Sequence, residues 1–168
     1  MITQDMQIFY AENWSWGGHY QGPETIISAE EAEKRHNNNN YYAVMIGKSA
    51  HKPTYVIFMD KKSNFVAVDF FDRYGRGYLT HHFQKRSDSE RYFLSMAVWR
   101  EYTSPESHDL AMGEAYYFRD DSDECYVLKE DFITNKRYEK TEHYSQKDKV
   151  IHFPEFGKYE EILNPNII

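Results

Sequence analysis

The chain has 168 residues, a formal net charge of −7, and 28% charged and 40% hydrophobic residues. Its length supports one domain with a sizeable core, and its composition excludes a disordered or collagen-like chain. The single cysteine, Cys125, excludes an intramolecular disulfide, and no run reaches the roughly 20 apolar residues that span a membrane. We expect a single domain over residues 1–168, and the lack of a signal-peptide pattern predicts a cytoplasmic location.

The first half of the chain predicts strands around one short helix. A strand over residues 6–16 precedes a helix over 29–36, and Ser28 and Glu31 have the spacing of a capping box at the helix start. Four aromatic and β-branched runs follow with short turns between them, at residues 41–46, 54–59, 65–71 and 78–83. Because short connections join antiparallel neighbours, these runs predict a four-strand meander.

The next segment predicts the main helix. Ser87 and Glu90 form a second capping box, and apolar residues follow at spacings of three and four over residues 92–100. A helix over about 88–102 with this much apolar surface would be buried against the sheet.

Strands are predicted again toward the C-terminus, at residues 111–119, 125–128 and 150–156. The alternating charges of residues 137–144 indicate an exposed edge strand. The expected fold is therefore α+β: an antiparallel meander sheet of about six to eight strands, one main buried helix and a short N-terminal helix.

The acidic residues are concentrated in one segment. Residues 101–131 hold 2 basic and 10 acidic side chains, whereas residues 34–100 hold 12 basic and 5 acidic ones. A solvated acidic turn is one explanation. A surface for a basic protein is the other, because carboxylates steer a basic partner and neighbouring tyrosines anchor it. The residues predicted to bind such a partner are Asp120, Asp121, Asp123, Glu124, Glu130, Asp131, Tyr117 and Tyr126.

Motifs for catalysis or metal binding are missing from the sequence. His81 and His82 are adjacent on a predicted strand, so their side chains point to opposite faces and cannot share one metal directly. Cys125 follows an acidic run, which would raise the thiol pKa and disfavour a reactive thiolate. With no HExxH, CxxC, GxSxG or P-loop pattern, we expect no enzyme, no metal and no cofactor.

A second hypothesis is a module that binds single-stranded nucleic acid. Arg73, Tyr74, Arg76 and Tyr78 lie at a predicted hairpin turn, where they could hold phosphates and stack on bases. The alternative is that these side chains pack the sheet, with arginine stems covering apolar surface.

The chain resembles bacterial immunity proteins of contact-dependent growth-inhibition and related polymorphic-toxin systems. The resemblance lies in the acidic aromatic chain and in the stretches VAVDFFDRYGRGYLTHHF (66–83) and RYFLSMAVWREY (91–102). It covers residues 60–131, and no residue role is carried over because it rests on no invariant motif. The order of strands and main helix is also similar to the Whirly single-stranded-DNA-binding fold.

The resemblance implies a cytoplasmic inhibitor that binds a toxin domain 1:1 and covers its active site or substrate groove. The implied target is a basic nuclease, with an EndoU-type RNase as the candidate. A small enzyme with a pocket that the sequence does not reveal stays open as a third hypothesis.

Overall fold

A computed structural model describes residues 5–16, 21–145 and 149–168. This part of the chain forms one antiparallel sheet of eleven strands and a single α-helix, α1 (Ala29–Asn37). The strands are β1 Gln7–Ser15, β2 Gly22–Ile27, β3 Tyr42–Ser49, β4 Lys52–Asp60, β5 Phe65–Phe71, β6 Gly77–Lys85, β7 Tyr92–Tyr102, β8 Leu110–Phe118, β9 Glu124–Asp131, β10 Lys136–His143 and β11 Val150–Ile151. A 3₁₀ turn, Glu160–Leu163, follows near the C-terminus.

The strand order across the sheet is β10-β9-β8-β7-β6-β5-β4-β3-β1-β2, with β11 paired to the start of β7. From β3 to β10 every strand lies beside the next one in sequence, as expected where short turns connect antiparallel strands. The N-terminal hairpin departs from this order, because β1 lies between β2 and β3, and β11 departs from it by pairing with β7.

One face of the sheet, which we call the covered face, carries the larger core. Val68 and Phe70 of β5 point into it, and Ala32 of α1 and Tyr159 of the C-terminal segment pack against it. The opposite, open face carries a smaller core around Trp14, Met45, Val56 and Phe71.

The sheet curls strongly toward the open face. A Cβ atom at Gly77 of β6 would lie 2.9 Å from Cη2 of Trp16, which directly follows β1. Nearby, the Gln21 side chain donates a hydrogen bond to the Gly75 carbonyl over 3.2 Å. The end of β1 therefore meets the β5–β6 turn across three intervening strands.

Three predicted elements are confirmed. The four-strand meander is present as β3 to β6, and α1 begins where the capping box predicts. The Ser28 hydroxyl accepts a hydrogen bond from the Glu31 backbone N–H over 3.1 Å. The predicted edge strand is also present as β10, whose side chains are almost all exposed.

The predicted main helix over 88–102 is wrong, because this segment forms β7. A register shift between His82 and Phe83 places a bulge at Ser95, whose hydroxyl donates to the His82 carbonyl. The bulge adds one residue to the strand, so the buried side chains of the covered face are separated by two, three and two positions. These covered-face residues are Tyr92, Leu94, Ala97 and Trp99. The apolar spacing of three was therefore produced by a bulge in a strand.

The predicted α+β class is wrong as well. The described chain is nearly all sheet, with eleven strands where about six to eight were expected, and only α1 is helical. The proposed capping box at Ser87 and Glu90 is instead a turn, in which the Ser87 N–H donates to Asp120 and Glu90 pairs with Lys85. Without the main helix, the element order that is similar to the Whirly fold is absent.

Candidate functional site

The predicted acidic tip is the turn between β8 and β9, and its charges are partly paired. Asp120 lies 3.1 Å from the Arg86 guanidinium, and Asp121 lies 2.9 Å from that of Arg119. Because neighbouring cations balance these two carboxylates, the turn presents less net negative charge than the sequence suggests.

The structure does not bring all the predicted acidic residues together. Glu124 and Asp131 lie at opposite ends of β9, about 23 Å apart for seven residues of extended strand. Asp131 caps the β9–β10 turn, where its carboxylate accepts the N–H groups of Ile133 and Thr134. Asp131 therefore has a local structural role at the end of the sheet away from the acidic tip.

Two of the predicted residues form an exposed aromatic pair. Tyr117 and Tyr126 lie directly opposite each other on β8 and β9, with ring centroids 6.0 Å apart. Their side chains are 41% and 38% exposed. Both tyrosines are on the open face, whereas the C-terminal segment and α1 pack on the covered face.

This pair belongs to a larger grid that we call the outer face, the open side of β7 to β10. Its first row is Met96, Tyr117, Tyr126 and Thr141; its second is Val98, Ala115, Leu128 and Glu139; its third is Arg100, Gly113, Glu130 and Arg137. Of the predicted toxin-binding residues, Tyr117, Tyr126 and Glu130 lie within the grid. Glu124 continues the same side of β9.

The residues of the nucleic-acid hypothesis are largely used within the fold. Arg76 is 8% exposed; it donates to Asp72 and to the carbonyls of Ser104 and Ser107. The Arg73 guanidinium donates to the Tyr74 hydroxyl, 2.6 Å away. Tyr78 points into the covered face, where its ring packs near Phe70 and Trp99. Tyr74 is the exposed ring of the four residues.

A cleft that sequence reasoning missed opens on the open face between β3 and β7. Its volume is about 600 Å³, within the usual range for small-ligand sites. Aromatic side chains from distant parts of the chain form its walls: Trp16, Tyr41, Phe58, Phe65 and Tyr102. Its floor includes Ala67, Asp69, Thr80 and His82, and Asp60 and Arg100 also line it.

A chain of hydrogen bonds connects the charged groups at one end of the cleft. Arg100 Nη1 donates to the Thr80 hydroxyl over 2.9 Å, and this hydroxyl donates to Asp69 over 2.5 Å. The Trp16 side chain also bonds to Asp69. Burial raises the pKa of Asp69 to about 6, while these hydrogen bonds and the Arg100 charge oppose the rise.

Two histidines flank this network on opposite faces. Burial lowers the pKa of both His81 and His82 to about 4, helped for His82 by the Arg100 charge. His82 lines the cleft, with its ring 5.1 Å from that of Phe65. His81 is fully buried on the covered face beside Phe70. The opposite orientation predicted for the adjacent pair is confirmed.

The cysteine and the possible metal ligands can be placed in the structure. Cys125 is fully buried on the covered face, and burial, as the largest cause, raises its thiol pKa to about 11. Within residues 5–16, 21–145 and 149–168, no three His, Cys, Asp or Glu side chains are grouped so that they could hold a metal ion. The described chain also contains no helix long and apolar enough to cross a membrane.

A few residues in the sequence could have indicated the cleft. Asp69 interrupts the apolar run of β5, and a charged residue inside a central strand requires a buried partner. Thr80, its partner, is on the neighbouring strand, and Arg100 is on the strand after that. The wrong helix assignment for β7 removed Arg100 from this face, so the three residues could not be connected.

Comparisons with known proteins provide no family for this chain. It matches no protein-family model, no curated protein and no solved structure. The functional argument therefore rests on the outer face and the cleft.

Proposed function

We propose that this chain is a cytoplasmic, non-catalytic immunity protein that binds a basic toxin domain 1:1 and covers its active site or substrate groove. A nuclease, with an EndoU-type RNase as the candidate, is the proposed target. The observation that carries the proposal is the exposed Tyr117–Tyr126 pair on the outer face.

Paired tyrosines are effective anchors for a protein partner. Each ring has a large apolar surface with few rotatable bonds, and its hydroxyl can still hydrogen bond at a wet interface. Met96 lies beside Tyr117 in the same row, and Val98 and Leu128 lie in the next one. The outer face thus combines an apolar centre with charged residues in its third row, as in many protein interfaces.

The charge of the β8–β9 hairpin as a whole favours a basic partner, although within the outer face Arg100 and Arg137 balance Glu130 and Glu139. Residues 110–131 contain seven acidic and two basic side chains, for a net charge of −5. Two of these acidic side chains are paired at the β8–β9 turn, which moderates the potential without reversing it. Such a surface accelerates association with a basic protein, and salt weakens the effect.

Co-expression with a toxin domain tests the proposal. The probes are basic nuclease toxin domains, EndoU-type RNases and any toxin domain encoded beside this chain among them, and the readouts are bacterial growth and co-elution on size exclusion. We expect the chain to restore growth and to form a 1:1 complex with one of them. If every toxin stayed active and eluted alone, the proposal would be overturned.

A double variant, Tyr117→Ala with Tyr126→Ala, locates the interface. It should weaken binding at least tenfold, because both aromatic anchors are removed from the outer face. The matched control is Tyr138→Ala, which removes a 55%-exposed tyrosine from the other side of the same outer strands. Equal loss in the control, or full binding by the double variant, would remove the outer face from the proposal.

A further inference from the structure

The open-face cleft is a second candidate binding site, and it shares only Arg100 with the outer face. We infer that it binds a small organic cation, an arylalkyl- or alkylammonium compound, between its aromatic walls and the Asp60 carboxylate.

The walls have the chemistry that recognises organic cations. Five aromatic side chains line the cleft, and the face of an aromatic ring carries negative charge density that attracts an ammonium group. Trp16 is 48% exposed and stacks on Phe71 at 5.3 Å, so its indole is fixed in place while part of its surface is accessible. Tyr41 is held similarly, because its hydroxyl donates to Asn13 over 2.6 Å.

The lining carries one more carboxylate than it has cations. Asp60, Asp69 and Arg100 are its charged residues, and His82 is neutral near pH 7 because burial lowers its pKa to about 4. Arg100 and Asp69 balance each other through the Thr80 hydroxyl. Asp60 is therefore the carboxylate whose charge the cleft lining does not offset.

The two ends of the cleft are well separated. Asp60 lies opposite Phe65, and Asp69 lies opposite Val56, which is four residues earlier on β4. Four residues of extended strand span about 13 Å, so Asp60 is distant from the Arg100 charge. A cation about the size of phenylethylammonium can contact Asp60 and the nearby rings of Phe58 and Phe65 without meeting the guanidinium.

The same geometry disfavours an anionic ligand. A carboxylate approaching Arg100 also approaches Asp69, which is 5% exposed and connected to Arg100 through a single hydroxyl. Repulsion from Asp69 offsets part of the attraction to Arg100. Charge and aromatic content together therefore select a cation.

Three probes with one aromatic skeleton test the inference: 2-phenylethylammonium, 2-phenylethanol and 3-phenylpropionate. Binding is followed by NMR on the ring protons of Tyr41 and Phe65, at the Asp60 end of the cleft, with the indole N–H of Trp99, which packs on the covered face, as the internal reference. We expect the cation to shift the Tyr41 and Phe65 signals and to bind at least tenfold more tightly than the alcohol or the carboxylate. Equal binding of all three, tighter binding of the carboxylate, or no binding of the cation would overturn the inference.

Two variants assign the effect to the cleft. Asp60→Asn should reduce the affinity for the cation at least tenfold, whereas the matched variant Glu160→Gln, at an exposed carboxyl group on the C-terminal 3₁₀ turn, should leave it unchanged. Ala67→Leu should abolish binding of the cation by filling the floor. Full affinity in Asp60→Asn would overturn the role of the carboxylate even if Ala67→Leu failed to fold.

The affinity should also fall slightly in mild acid, because Arg100 acts on the Asp60 end of the cleft only over about 13 Å. Asp69, with its pKa at about 6, becomes neutral as the pH drops from 7 to 5, which leaves the Arg100 charge unbalanced in the cleft. His82 stays mostly neutral over this range and adds no charge. Tighter binding of 2-phenylethylammonium at pH 5 than at pH 7 would contradict the inference.

Discussion

The inner meander and the outer strands belong to the same sheet but differ in how many of their faces are buried. In β5 every residue after Phe65 is buried, so both faces of the strand are covered by other side chains. In β10 nearly every residue is exposed on both faces. The inner strands therefore supply most of the stability, while the outer strands keep aromatic surface available for a partner.

This difference also separates the two candidate sites. The cleft is formed where the inner strands curl, and its polar groups are fixed by hydrogen bonds between neighbouring strands. The outer face depends only on strand register, which places Tyr117 opposite Tyr126. Substitutions in the cleft should thus affect folding and binding together, whereas those on the outer face should affect binding alone.

The largest expected effect compares two phenylalanines. Phe83 is fully buried in β6, and Phe83→Ala should lower the free energy of unfolding by about 3–5 kcal/mol, because it leaves a cavity in the core. Phe132 is 48% exposed and lies beside Gly113, so Phe132→Ala should lower the free energy of unfolding by less than about 1 kcal/mol. Urea unfolding of both variants measures the difference, and equal losses would show that the outer strands share the main core.

The second-largest expected effect on stability is the difference between two arginines at hairpin turns. Arg76→Ala removes a guanidinium that bonds Asp72 and two backbone carbonyls in a buried site, so we expect a loss of roughly 3 kcal/mol. Arg119→Ala breaks an exposed ion pair with Asp121 and should leave the unfolding midpoint unchanged. Calorimetry on both variants provides the measurement. An intact midpoint in the Arg76 variant would indicate that the β5–β6 turn needs no such support.

The third prediction concerns how the stability of the inner core depends on pH. His81 has a pKa of about 4 when folded and about 6.5 when unfolded, so the folded state binds fewer protons between these values. The stability that neutral His81 contributes is present above pH 6.5 and is lost as the pH falls toward 4. At pH 5 the loss is about 2 kcal/mol.

His81→Leu isolates this contribution from the other titrating groups. The stabilising contribution of His82 also decreases as the pH falls. That of Asp69, whose folded pKa is raised, increases as the pH falls through about 6. The free energy of unfolding of the variant, taken relative to that of the parent chain, should therefore be about 2 kcal/mol higher at pH 5 than at pH 7. A pH-independent difference between the two chains would mean that His81 is not neutral in the folded protein.

Local patterns were sufficient for the inner meander and α1. The strands β3 to β6 are short apolar runs separated by turn residues, and Ser28 caps α1 through a bond to a residue three positions away. Such features depend on neighbours in sequence, so they could be predicted without knowing the fold. Tyr117 and Tyr126 were predicted for the same reason, since both flank the tip of one hairpin, whereas their pairing across the strands is a finding of the structure.

The rest required the tertiary structure. A bulge at Ser95 gave β7 the apolar spacing of a helix, and only its pairing with β6 and β8 fixes it as a strand. The partners of Asp120 lie more than 30 positions away at Arg86 and Ser87, so the charge of the acidic tip could not be judged from neighbouring residues.

The sequence by itself determined the strands of the meander, the start of the single helix and the acidic, aromatic character of the outer hairpin. Only the tertiary structure decided that β7 is a strand, which carboxylates keep their charge exposed, and that Trp16, Asp69, Thr80 and Arg100 line one cleft. The physical reason is the range of the interactions. Turns, caps and hairpin pairs form between residues close in the chain, whereas the cleft depends on the curl of a sheet that brings β1 to β6.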